Sequence, residues 1–330
     1  MMRSLTFALA VLTASQALGD EPDIRAIVDA HIIPRYQTLA AETAGLADVA
    51  AANCSTANPD LIPAFHDAFD AWVGVSHLRF GPSEAEDRAF ALAFWPDPRG
   101  STPKALSALI RSEDTAVSTP EDFADVSIAA RGFYALEFLL FDPHFAAKDT
   151  GFHCALVQAV TMDISRNSAA ILADWEGGYG ARMATPGNDT YRTSAEAARQ
   201  VFTALSTGLE FTSQTRLGRP MGTFDRPRPN RAEARRSGRS LRHVVLSLSA
   251  TRELAQMIAA GNQDVDRAFE AALDKAKGLD DPVFANVAKP LGRFRVEVLQ
   301  QSIDAIRSIL AEEVGPSLGI AAGFNALDGD

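Results

Sequence analysis

The chain has only two cysteines among its 330 residues, Cys54 and Cys154. Two cysteines a hundred residues apart make no zinc motif by themselves. The chain also lacks a His-Glu-x-x-His pair, a phosphate-binding glycine loop and any Ser-His-Asp or Cys-His motif, which disfavours hydrolases of those well-marked classes. After the first twenty residues no stretch reaches the ~18 to 20 unbroken apolar positions that a membrane span requires. Positive charge is in short supply: the formal net charge is −11, so non-specific nucleic-acid binding is disfavoured. Sustained two-residue alternation, the mark of strands, is missing as well.

What is present begins with a leader pattern. Met1-Met2-Arg3-Ser4 is followed by an apolar run from Leu5 to Leu12 and small residues through Gly19, the order of a secretory signal peptide. Ser15-x-Ala17 and Ala17-x-Gly19 are both acceptable cleavage sites, and residues 1–19 are expected to be removed. The chain is thereby expected to be periplasmic, where disulfides persist. Cys54 and Cys154 are expected to form one; the alternative is two separate buried thiols, which behave as small hydrophobes.

Apolar residues recur at three and four along nearly the whole chain, the helical period, and 47% of residues are hydrophobic. The expected fold class is all-α, as two packed helical subdomains resembling four-helix bundles. The expected boundaries are 20–185 for the N-terminal subdomain, 186–315 for the C-terminal one and 316–330 for a Gly-rich tail. The reading gives helices over about 24–52 and from Leu61 to Ser76, a long ordered loop over 80–103, and a helix opened by Thr119-Pro120-Glu121-Asp122 that runs to about Phe141. Further helices are expected at 151–176, 191–215, 230–260, 264–277 and 282–314.

The most informative stretch is Gly132-Phe133-Tyr134-Ala135-Leu136-Glu137-Phe138-Leu139-Leu140-Phe141. A helix that is apolar all round is buried, so Glu137 is expected to be buried too. A buried carboxylate must take up a proton, pair with a cation or bind a metal. Tyr134, three residues earlier, shares its helical face. The plainer reading of Glu137 is a structural hydrogen bond or an ion pair to an arginine.

These residues resemble the imelysin family, also described as insulin-cleaving metallopeptidases or iron-regulated periplasmic proteins. That family carries Gly-x-His-x-x-Glu followed by an apolar run; here Gly132 and Glu137 match, and Tyr134 replaces the histidine. Arg79-Phe80-Gly81-Pro82 and Phe94-Trp95-Pro96 also look like the family, and the branch described as predicted periplasmic lipoproteins is nearest, although no lipid-attachment cysteine is seen. The resemblance implies two helical-bundle subdomains with a site between them and a link to iron or haem uptake. Neutral tyrosine is a poor zinc ligand, whereas phenolate binds ferric iron. The exchange therefore argues against a zinc peptidase and leaves iron or haem open as the cofactor or cargo.

The candidate binding residues are Tyr134, Glu137, Arg79, His77, Glu210, His243 and Trp95, with Glu137 and Tyr134 as metal ligands and no catalytic residue assigned. His77 is favoured by its place just before Arg79 at the mouth of the loop. Glu210 is a lone acid in an apolar helix, and is read as a partner for Arg79 or a second carboxylate beside Glu137. His66 and His77 stand roughly 16 Å apart at 1.5 Å per residue, too far to share one ion. His66 with Asp70 is most simply an ordinary pair, and His31, His144 and His153 are read as structural.

Nine arginines and two acids fall between Arg216 and Arg242, a local charge of +7. Arginine without lysine favours planar, bidentate pairing with oxyanions. Either these arginines clamp the loop onto acidic neighbours, or they form a docking face for an anionic ligand. The functional expectation is a binding or accessory protein for iron, haem or another metal. The alternatives are a metallopeptidase of the imelysin type and an interaction module that docks an envelope protein through the Arg216–Arg242 segment.

Overall fold

The computed structural model describes residues 22–146 and 151–320. The expected leader and the tail beyond residue 320 lie outside the described residues. The described chain is predominantly helical, with no strand beyond a single isolated bridge between Thr223 and Arg226.

Helix α1 runs from 24 to 52, with one wide turn at Val28–Ile32. The Asp23 side chain accepts a hydrogen bond from the Ala26 backbone N–H and caps its start. Ile24, Ile27, Ile32, Tyr36, Leu39 and Leu46 bury one stripe, as the three-and-four spacing predicts. Helix α2 (Leu61–Val75) buries Phe65, Phe69 and Trp72 in the same manner. Helix α3 (Ser101–Ser112) is held at its N-terminus by Asp97, whose carboxylate accepts from the backbone N–H groups of Ser101 and Thr102. Helix α4 (Gly132–Phe141) is buried on nearly every side. Helix α5 (Gly151–Asp174) lies along α1.

Helix α6 (Ser194–Glu210) is capped by Thr193 and continues through a wide-turn segment, Phe211–Leu217. Helices α7 (Ser240–Ile258), α8 (Gln263–Lys277) and α9 (Pro290–Ile309) follow. In α8, Asp264 and Asp266 sit in the first turn and Lys275 and Lys277 in the last, matching the helix dipole at both ends. Helices α1, α2, α4 and α5 pack as one group, and α6 to α9 as another, with α2 lying against α7 where the groups meet. One apolar core is continuous across both.

Several expected bounds are corrected. The helix opened at Thr119 ends at Ala124, and a new helix starts at Gly132, which adopts φ +75°. A Cβ at Gly132 would lie 2.2 Å from the Ala91 carbonyl oxygen, so glycine is what lets α4 enter against the 91–92 backbone. Residues 230–239 form tight turns rather than the start of α7, since Ala234 (φ 44°) and Gly238 (φ 74°) leave the helical region. Residues 282–289 likewise precede α9, which begins at Pro290; proline suits a first helical position and disfavours helix in the residue before it. The 80–103 connection contains short helical turns, among them Arg88–Leu92, and gives way to α3 at Ser101.

Cys54, just beyond α1, and Cys154, in the first turn of α5, form a disulfide with Cα atoms 5.4 Å apart. It closes a loop of 100 residues, and on the chain-entropy model a loop of that length contributes about 4 to 5 kcal/mol. The Cys54→Ala/Cys154→Ala chain is expected to lose about that much unfolding free energy in a denaturant titration. A loss under about 1 kcal/mol would show that the bridge does not restrain the unfolded chain as argued.

Candidate functional site

The centre of the molecule is a charged cluster between the two helix groups. Glu233, in the turn segment before α7, is 2% exposed, and Arg216, at the end of the α6 extension, is 3% exposed. Arg216 donates through Nε to Glu233 Oε2 at 2.7 Å, and Tyr134 of α4 donates its hydroxyl to Glu233 Oε1 at 2.5 Å. The guanidinium also donates to Thr212, Ser247 and Ser76, which satisfies its remaining edge. His243 of α7 stands 3.3 Å from Glu233 Oε2 through Nδ1, a close contact without hydrogen-bond geometry.

Burial alone would raise the Glu233 carboxyl, but Arg216, then His243 and the Tyr134 hydroxyl, outweigh it and hold the group down to about 2. The Tyr134 phenol is pushed well above its ordinary range by burial and by the Glu233 charge beside it. It therefore stays protonated, as a donor to Glu233. The metal-ligand role expected of Tyr134 would require the phenolate, which this arrangement opposes.

Glu137 is 2% exposed, as the apolar surroundings of its helix predict. Its Oε1 accepts from both the backbone N–H and the hydroxyl of Ser237, at 2.9 and 2.8 Å. Burial raises the carboxyl above the usual range, with the two Ser237 bonds and Arg236 acting against it. Tyr134 and Glu137 thus look to different partners. Among the described residues no three His, Cys, Asp or Glu side chains come together in a group able to hold a metal ion. The donor set expected of a zinc hydrolase is not assembled around Glu137.

Two cavities flank this cluster and share Trp95 and Tyr134 as lining residues. The first, about 360 Å³, lies between α2, the 77–95 connection and α6, and reaches Tyr134, Arg216 and Glu233. His77, Arg79 and Trp95 line it as well, so the structure gathers these sequence candidates in one place. The second, about 250 Å³, contains Glu137 and three members of the arginine segment, Arg219, Arg231 and Arg236. Trp95 stacks on Tyr134, with ring centres 6.0 Å apart, and meets Phe211 edge-on.

Glu210 does not join the cluster. It pairs with Arg307 of α9 at 2.6 Å, while Arg79 pairs with Glu84 at 2.6 Å. Glu210 is therefore neither the partner of Arg79 nor a second carboxylate beside Glu137; it turns toward α9 instead. The ordinary pair expected of His66 and Asp70 is not formed: Asp70 pairs with Arg239 and Arg242, and His66 stacks on Phe141. His77 meets His31 of α1, Nε2 to Nε2 at 3.1 Å, in a buried pair. Gly208 lets α6 pack against His77, since a Cβ there would fall 2.6 Å from the His77 Cβ. Arg216 and Glu233 are the residues that sequence reasoning missed. Their only signal was membership of the arginine-rich segment, where Glu233 is one of two acids.

The fold and the site define an all-helical protein with a buried carboxylate helix at the meeting of two four-helix groups. This chain belongs to the imelysin family, whose model matches residues 32–310. It is similar to iron-regulated protein A of Synechococcus elongatus, 22% identical over 92% of this chain and 88% of that protein. The solved structure of an imelysin-like protein from Psychrobacter arcticum superposes with a TM-score of 0.77 at 20% identity, covering 91% of this chain and 96% of that one. A putative iron-regulated protein A precursor from Parabacteroides distasonis gives 0.68 at 14% identity, covering 88% and 96%.

Two predictions follow from these burials. Breaking one side of a buried ion pair leaves an uncompensated charge and costs about 3 to 5 kcal/mol. Glu233→Ala is expected to lose that much in chemical unfolding, and Arg216→Met/Glu233→Leu markedly less; equal losses would contradict the pairing. Burial lowers His77 to about 3 and His31 to about 2, with Arg35 adding to both. The unfolded chain takes up these protons first, so stability present near neutral pH is lost as pH falls from about 6.5 toward 3. Glu233 acts in the same direction below about 4.5, and Glu137 in the opposite one. His77→Gln is expected to flatten the upper part of that fall, read as unfolding free energy against pH.

Proposed function

We propose that this chain is a periplasmic binding or accessory protein in iron handling, which takes an iron-containing ligand into the 360 Å³ cavity between its helix groups. The observation that carries the reading is the cavity's lining: aromatic walls from Trp72, Trp95 and Phe211 around a few convergent polar groups, Tyr134, Arg216 and Glu233. Concave, largely apolar sites with a small number of fixed polar groups are the usual form of a small-molecule site. Because no three-residue ligand group surrounds Glu137 among the described residues, the iron is read as cargo arriving with ligands of its own. The iron-regulated names of two relatives support the link to iron. The leader pattern, the disulfide and the word precursor in the Parabacteroides name support export.

Two of the three tryptophans, Trp72 and Trp95, line the cavity, so ligand entry should be visible as fluorescence quenching. Ferric salt, haem, a ferric chelate and zinc are to be titrated into the purified protein, with bound metal measured in parallel. Quenching with stoichiometric metal is expected for an iron complex, and Thr207→Trp, which fills the cavity mouth, is expected to abolish it. Failure of all four to bind would overturn the reading, as would chelator-sensitive cleavage of an unfolded protein substrate, which belongs to a metallopeptidase.

A further inference from the structure

Six of the nine arginines in the segment bear on binding, in two sets. Arg216, Arg236, Arg239 and Arg242 each pair with an acid. Clamping of the segment onto acidic neighbours therefore accounts for these four. Arg219 and Arg231 carry no ion pair or side-chain hydrogen bond among the described residues, and both line the 250 Å³ cavity. Arg219 is half-buried, stacked over the Trp95 ring at 5.6 Å, with its Nε buried and unpartnered. Two guanidinium groups that border one cavity with no ion pair of their own repel, and an anion between them would offset that like charge.

We propose that this second cavity is a binding site for a small oxyanion, a free carboxylate or phosphate, held between the guanidinium groups of Arg219 and Arg231. The neighbouring Asn230 also lines the cavity. Two acids also line the cavity, and neither competes for the arginines. Asp97 is engaged by the first N–H groups of α3, and Glu137 Oε1 by Ser237. Burial raises the Glu137 carboxyl, which weakens its opposition to an incoming anion. Arg236 closes one side while bound to Asp142 and packed on the Phe138 ring. Arg219 is kept below its ordinary value by burial and by Arg231, so a bound anion relieves a charge conflict built into the apo protein. Planar, forked donors match the two oxygens of a carboxylate or the face of a phosphate. The site shares the Trp95 and Tyr134 walls with the cavity assigned to the iron-containing ligand, but Arg219 and Arg231 line only the second cavity, so it does not depend on that assignment.

Calorimetric titration of the full-length protein with inorganic phosphate and, separately, with citrate at low ionic strength tests the proposal. At least one anion is expected to bind with one-to-one stoichiometry, and affinity should fall as salt rises. The anion that binds more tightly identifies the ligand class. Arg219→Gln and Arg231→Gln, each losing charge-assisted hydrogen bonds, are expected to weaken binding about tenfold or more, while Arg226→Gln leaves it unchanged. Circular dichroism on each variant confirms that the helices persist. Thr207→Trp, which blocks the other cavity, should leave anion binding intact; loss of iron-complex binding alone in that variant separates the two readings. Absence of binding by either anion, or equal affinity in wild type and the Arg219→Gln/Arg231→Gln double variant, would overturn the proposal.

Discussion

A carboxylate with almost no access to water organises the middle of this protein. Removing Glu233 and Arg216 from solvent carries a desolvation cost that their attraction offsets only if the remaining hydrogen-bonding capacity is filled. It is filled: Tyr134 donates to one oxygen and Arg216 to the other, while Thr212, Ser247 and Ser76 take the rest of the guanidinium. These contributors come from α2, α4, the α6 extension, α7 and the turn segment before it. The pair is thus a joint between the two helix groups, and the cavities beside it exist because bulky aromatic groups stand around a charge that cannot be packed over by them.

The central helix illustrates how one exchange redirects a site. Gly132 keeps its role through backbone geometry, because its positive φ and the nearness of the Ala91 and Leu92 carbonyls leave no space for a side chain. Tyr134, where the family pattern has histidine, reaches Glu233 as a neutral hydrogen-bond donor. Glu137, freed from a partner on its own helix, is satisfied by Ser237 across the group boundary. Two side chains three residues apart on one helix thus enter two different hydrogen-bond networks.

The arginine-rich segment serves both ends of this design. Its paired members tie the segment down: Arg239 and Arg242 to Asp70 of α2, Arg236 to Asp142 after α4 and Arg216 into the core. Holding the backbone there fixes Arg219 and Arg231 over an open space rather than against the acidic surface that a net charge of −11 would otherwise offer them. Trp95, stacked on Tyr134 and covered by Arg219, connects the two cavities physically.

The sequence by itself determined the helical class, because apolar residues at three and four commit each segment to one buried face whatever it packs against. It also determined the burial of Glu137, since no side of α4 is polar enough to face water, and it singled out the two cysteines that are bridged. Helix starts at Gly132 and Pro290 were written in local backbone rules, yet periodicity running through 119–141 and 282–314 masked them. Only the tertiary structure decided the partners. Glu233 lies 99 residues from Tyr134 and Glu137 lies 100 from Ser237, and no local pattern carries information across such separations. Glu210 shows the same limit: a lone acid on an apolar helix reads as a site residue until the fold sets Arg307 beside it. Burial follows from a segment's own composition, but the choice of a counter-charge depends on which distant segment the packing brings within hydrogen-bond reach.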